Sequence, residues 1–153
     1  KLGLIGHSFG GYESAFIATQ TNRFAAIVAG AAVTDFMSHY HNVGWYTYRP
    51  EIWRYESQQW RMGDSYYNIK EAYLRNSPMH HVEQINTPIL LWTGKEDYQV
   101  NWTQSIEMFL ALKRLGKKCH LLLFENEPHI LLNIENQKRL SHEIKSWFDN
   151  YLK

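Results

Sequence analysis

A single cysteine, Cys119, stands among 153 residues, so no internal disulfide can form. It lies in an apolar, strand-like run and reads as a buried, inert thiol. Long apolar runs are missing too. The longest is about Phe24 to Val33, and a bilayer-spanning helix needs about 20 residues. There is no excess of charge of one sign: the formal net charge of +1 offers no general attraction to nucleic acid or acidic membranes. A His-Glu-x-x-His helix is absent. His39-x-His41 and His80-His81 fall short of the three or four converging ligands that zinc requires, so they read as surface or loop histidines. No metal or other cofactor is implied. Neither an internal repeat nor a low-complexity segment occurs. The chain opens on Lys1, directly inside a strand, with no Met and no signal peptide. It reads as a fragment whose upstream part is missing, and the sequence carries no sign of its compartment.

What is present is organised around the first eleven residues. Lys1-Leu2-Gly3-Leu4-Ile5 is a short apolar run of the kind that forms a buried strand. Gly6-His7-Ser8-Phe9-Gly10 follows with the pattern Gly-x-Ser-x-Gly, and Tyr12, Ala15, Phe16 and Thr19 then recur at helical spacing. Strand, Gly-x-Ser-x-Gly and helix in that order is the context a nucleophile elbow requires. A serine hydroxyl is a poor nucleophile until a base takes its proton and a tight turn holds it clear of the backbone. The same turn leaves the Phe9 N–H at a helix N-terminus, where it can donate to a developing oxyanion.

The length suits one domain with a real core. Phe24 to Gly30 reads as a second buried strand, which with the elbow makes a right-handed parallel unit. From Met37 to about Asn76 the pattern changes. Trp45, Tyr46, Tyr48, Trp53, Tyr55, Trp60, Tyr66, Tyr67 and Tyr73 crowd together with four arginines, but Glu51, Glu56, Asp64 and Glu71 are mixed in, so this is no basic nucleic-acid surface. No strand alternation is sustained. Residues 37–76 read as a helical, aromatic-rich insertion over the sheet edge, part of it walling a substrate pocket. Ile89 to Trp92 is a third strand. Thr103 to Leu115 is an amphipathic helix with Ile106, Phe109, Leu110, Leu112 and Leu115 near one face. His120 to Phe124 is a fourth strand, and a helix from about Asn133 to Leu152 turns Ile134, Leu140, Ile144, Trp147 and Phe148 to the core.

Ligand and catalytic groups in open parallel sheets gather beyond the carboxyl ends of strands. Three such loops offer Ser8, Asp97 and His129. Nucleophile, then acid, then histidine is the chain order of α/β hydrolases. In this reading His129 relays the Ser8 proton, and Asp97 holds the imidazole in the right tautomer. Asp35 and Glu96 are rivals for the acid, although an Asp beside Thr at a loop is more often a cap. His120 and His142 lie inside regular elements and reach a strand-end nucleophile less easily.

Gly6-His7-Ser8-Phe9-Gly10-Gly11-Tyr12, Asn76-Ser77-Pro78, Thr87-Pro88-Ile89-Leu90-Leu91, Gly94-x-x-Asp97-x-x-Val100 and Glu127-x-His129, with Gln104 and Ala111-Leu112 between the last two, together resemble the catalytic domain of prolyl oligopeptidase family serine peptidases. The resemblance spans essentially the whole chain. It implies the C-terminal part of an α/β-hydrolase domain: about four parallel strands with helices on both faces, plus the insertion. It also implies hydrolysis of peptide bonds in oligopeptides, with Ser8, Asp97 and His129 as nucleophile, acid and base and the Phe9 N–H as an oxyanion donor. Members carry an upstream β-propeller, and neither it nor the early hydrolase strands with the second oxyanion donor is in this chain. Little turnover by the fragment is therefore expected, as is self-association through the exposed edge of its first strand. Trp92-Thr93-Gly94 departs from the His-Gly or Asn-Gly common before the acid loop, which should alter packing there. An esterase on the same fold, and a non-catalytic binding domain that retains the triad, stay open as alternatives.

Overall fold

Four apolar segments become the strands of one parallel sheet in the computed structural model, which describes residues 1–153. They are β1 (Gly3–His7), β2 (Ala26–Gly30), then Ile89–Gly94 and Cys119–Phe124. A two-stranded antiparallel hairpin, β3 (Val43–Gly44) with β4 (Arg49–Pro50), intervenes in the chain, so the latter two strands are β5 and β6. The sheet order is β1-β2-β5-β6, and every neighbouring pair is parallel.

Each inner strand alternates its side chains between two apolar layers, which is why β2 and β5 read as continuous hydrophobic runs. Ile27, Ala29, Ile89 and Leu91 face one layer. There they meet Ala15 and Ala18 of α1 (Phe9–Gln20), Val82 and Ile85 around a 3-10 segment (Pro78–Gln84), and Met108 and Leu112 of Thr103–Arg114. Val28, Leu90, Trp92, Leu122 and Phe124 face the other, against Leu140, Ile144, Trp147 and Phe148 of Ile134–Leu152. Helices therefore cover both faces.

The remaining helices are short: α2 (Phe36–Tyr40), α3 (Ile52–Glu56) and α4 (Lys70–Asn76). Thr103–Arg114 is thus α5 and Ile134–Leu152 is α6. These short helices build a third core from Val33, Phe36, Tyr40, Tyr55, Tyr66, Tyr73 and Val100, with Tyr12 and Trp60 packed against it. Part of the aromatic crowding of residues 37–76 is therefore internal packing, with ring pairs such as Tyr55–Trp60 (5.1 Å, 11°) stacked directly, while Trp45, Tyr46, Tyr48 and Tyr67 stay exposed.

Some expectations need correction. Residues 37–76 are not wholly helix and loop, because the β3–β4 hairpin lies among them; two residues per strand are too few to show alternation. On α5 the packed positions are Ser105, Met108 and Leu112, while Leu110 and Leu115 are exposed. Ile134 is also exposed, since it sits in the first turn of α6 and points away from the sheet. Cys119 is half-buried rather than buried, because β6 is an edge strand; partial burial still pushes its thiol above the ordinary range. β1 is the other edge, with Leu2 and Ile5 about half exposed. No helix is long and apolar enough to cross a membrane.

Candidate active site

The turn after β1 carries Ser8 in a backbone conformation that non-glycine residues rarely adopt, φ 60° and ψ −120°. Ser8 is also the N-cap of α1, and its N–H donates to the Gly30 carbonyl (2.9 Å). Gly6 permits the tight turn, since a Cβ there would collide with the Gly10 carbonyl. Phe9 is the first residue of the helix, so its N–H has no intrahelical acceptor.

Asp97 and His129 lie in the loops after β5 and β6 and converge on Ser8. His129 Nε2 is 2.8 Å from Ser8 Oγ, and His129 Nδ1 is 2.7 Å from Asp97 Oδ2. An ionised carboxylate only accepts, so Nδ1 carries the hydrogen and Nε2 is left as an acceptor for the Ser8 O–H. The Asp97 side chain is wholly buried, and its other oxygen accepts from the Gln99 and Val100 N–H groups (2.9 Å each). Those two bonds fix its orientation.

The rival residues do other work. Asp35 caps α2 by accepting from the Met37 and Ser38 N–H groups (3.2 and 3.3 Å). Glu96, His120 and His142 are exposed. Of the paired histidines, buried His39 shares a hydrogen bond with the Tyr55 hydroxyl through Nδ1 (2.9 Å). His41 bridges the Met37 carbonyl and the Tyr67 hydroxyl, His81 bonds the Arg75 carbonyl, and His80 stands 3.8 Å from Asp35.

Two residues that entered the sequence reading only through the family resemblance have structural roles it did not give. Gln104, buried, accepts from both the Thr34 and Asp35 N–H groups (2.9 and 2.8 Å) and donates to Ser38 Oγ (2.6 Å), tying the loop after β2 to α5. Glu127 is almost fully buried. It accepts from the Leu132 N–H (2.6 Å), the Asn133 N–H (3.1 Å) and the Asn136 amide (2.6 Å). Burial works against its charge, but these donors outweigh it and hold the carboxyl below the usual range. The carboxylate thus closes the His129 loop onto the start of α6, where the helix dipole favours a negative charge. Its sequence signal was its place two residues before His129 in the motif Glu127-x-His129. Glu127→Ala should cost about 3 kcal/mol in urea unfolding, by leaving two backbone donors and an amide without their charged acceptor.

The match to known proteins follows this geometry. A strand–elbow–helix with three strand-end loops meeting at a serine defines an α/β-hydrolase site. Over residues 1–153 the chain matches the family model described as the prolyl oligopeptidase family, and it belongs to that family. It is 31% identical over 156 residues to the uncharacterized peptidase YuxL of Bacillus subtilis (strain 168), covering 99% of this chain and 22% of that protein. Dipeptidyl-peptidase 5 of Porphyromonas gingivalis is 25% identical over 158 residues, covering 100% of this chain and 22% of that one. Among solved structures, a Mycobacterium tuberculosis puromycin-hydrolyzing peptidase superposes with a TM-score of 0.87 at 25% identity, over 99% of this chain and 22% of that one. An acylaminoacyl peptidase in complex with Z-Gly-Gly-Phe-chloromethyl ketone gives 0.82 at 22% identity, over 99% and 24%, and speaks for the fold. The chain spans about a fifth of the length of the relatives it matches end to end.

Proposed function

We propose that this chain is the C-terminal part of a hydrolase domain, with residues 37–76 as its insertion, and that it bears the nucleophile, acid and base of a serine peptidase acting on oligopeptides. The observation that carries this reading is the unbroken line from Ser8 Oγ through the His129 ring to Asp97, with links of 2.8 and 2.7 Å. Ser8 attacks the scissile carbonyl carbon while His129 Nε2 takes its proton. Charge develops on the carbonyl oxygen facing the Phe9 N–H. His129 then protonates the leaving amine as the C–N bond breaks. A water, deprotonated by the same nitrogen, releases the acyl group and restores Ser8. A cleft of about 180 Å³ opens beside His129 between Tyr46, Tyr98, Pro128, Ile130 and Leu132, and its apolar walls suit peptide side chains.

The test is mass spectrometry after exposure to a fluorophosphonate, with this chain, its Ser8→Ala variant and a version extended upstream. Attack by Ser8 on phosphorus expels fluoride and leaves a stable adduct. Labelling that disappears in the alanine variant is expected, strongest in the extended chain, because losing an oxyanion donor costs about 10²- to 10³-fold. Silence from both native forms would sink the reading. Turnover of aryl esters with no peptide cleavage would replace peptidase by esterase. The exposed β1 edge should also pair with a second copy, giving a weight-average mass in light scattering that rises with concentration. A constant monomer mass would count against that pairing.

A further inference from the structure

His7, between Gly6 and the nucleophile, has no part in the chemistry just described, yet it is bound to the same partner as Ser8. Its Nε2 lies 2.8 Å from the His129 backbone carbonyl, while the neighbouring Ser8 Oγ lies 2.8 Å from the His129 ring. Consecutive residues of the elbow thus hold one residue of the base loop at two points, main chain and side chain. A carbonyl oxygen only accepts, so His7 must carry its hydrogen on Nε2.

The sheet explains why the ring is there. His7, Gly30 and Trp92 stand in register on three adjacent strands. A Cβ at Gly30 would fall inside the Trp92 ring, so the glycine lets the indole lie across β2 and stack on His7 (5.1 Å, 9°). The stack supports one face of the imidazole, and the His129 ring sits tilted beside it at 4.7 Å. A cavity of about 400 Å³ borders His7, Trp92, Ile130, Leu131 and Leu140, so close packing does not by itself hold the ring in place.

We propose that His7 is a positioning residue: its Nε2–H clamps the base loop to the nucleophile turn and thereby holds the His129 ring on Ser8. The role in catalysis rests on the serine-peptidase reading; the clamp does not. Burial lowers the His7 pKa from the usual imidazole range, opposed first by its hydrogen bond to the His129 carbonyl and then by the Asp97 charge, so the ring favours its neutral form near neutral pH.

Three readouts test it in the 153-residue chain. With nitrogen-15 in the histidine rings, NMR at neutral pH should find His7 as the Nε2–H tautomer; the Nδ1–H tautomer would overturn the clamp. His7→Phe keeps a ring on Trp92 but removes the donor, and should speed hydrogen exchange at the Leu132 and Asn133 amides about tenfold. His7→Gln returns an N–H and should stay within about threefold of native. Unchanged exchange in the Phe variant, or equal loss in both, would leave His7 as filling alone. Should the Phe variant not fold, the tautomer and the Gln variant still decide. Fluorophosphonate labelling of Ser8 should slow about tenfold in His7→Phe through its maximal rate and not through probe affinity. Silence of both this chain and its upstream-extended form would refute the peptidase reading, while exchange and tautomer still judged the clamp.

Discussion

Asp97→Asn should slow acylation of Ser8 by about 10⁴-fold while the fold stays intact. The substitution changes no heavy-atom shape, and the site around it leaves the amide no freedom. Oδ1 accepts from the Gln99 and Val100 N–H groups, and an asparagine must keep its carbonyl oxygen there or bury two donors against an NH₂. Its NH₂ then faces His129 Nδ1, 2.7 Å away, and can only donate. The ring is forced to carry its hydrogen on Nε2, where it meets the Ser8 hydroxyl as a donor and can no longer take the proton. The measurement is the rate of fluorophosphonate labelling of the upstream-extended chain, with thermal unfolding as the control for folding. A rate within tenfold of native, at unchanged melting temperature, would mean that Asp97 does not set the tautomer.

The other large effect is on stability in acid and centres on His39. This ring is 2% exposed, and its pKa is pushed from 6.5 down to about 4, first by burial and then by the nearby Arg54 guanidinium. In the unfolded chain the imidazole takes its proton near 6.5. Between that pH and about 4 the unfolded state binds more protons than the native state, so stability falls as pH falls. The full loss is about 3 kcal/mol, complete once the pH is below the folded value. Glu127 acts with the same sign in a lower window: its depressed pKa means stability present above the ordinary carboxyl range and lost as the pH drops through the folded value. Urea unfolding at steps from pH 7 to 2 should separate the two. His39→Asn, which keeps a nitrogen for the Tyr55 hydroxyl, should flatten the part of the slope above the carboxyl range. An equally steep slope in that variant would assign the acid sensitivity elsewhere.

The elbow and the three strand-end loops were legible because their signals are local: an apolar run, a glycine-spaced turn, a helix at 3.6-residue periodicity. Asp35 was legible as a cap for the same reason. The other contributors arise from register between distant segments. Nothing near Trp92 announces that it will cross Gly30 to reach His7, since that depends on three strands aligning at one row. The departure noted at Trp92-Thr93-Gly94 was visible, but its purpose was not. Gln104 counted towards the family resemblance, but its role appears only when the loop after β2 folds against it. The helix faces failed in a related way. Leu110 and Leu115 belong to the apolar set of α5 by periodicity, but the sheet meets the stripe through Met108 and Leu112 and leaves them in water.

The two edge strands also set when a competent site can exist during folding. Ser8 and His129 are separated by 121 positions in the chain and follow β1 and β6, which stand at opposite ends of the strand order. Their meeting closes a long loop, and such long-range closure carries its entropy cost before any contact repays it. Partly folded forms can therefore hold the elbow, the aromatic cluster or a β5–β6 pair and still be chemically silent. On the proposed mechanism, reactivity arrives only once the loop after β6 has docked against the elbow after β1.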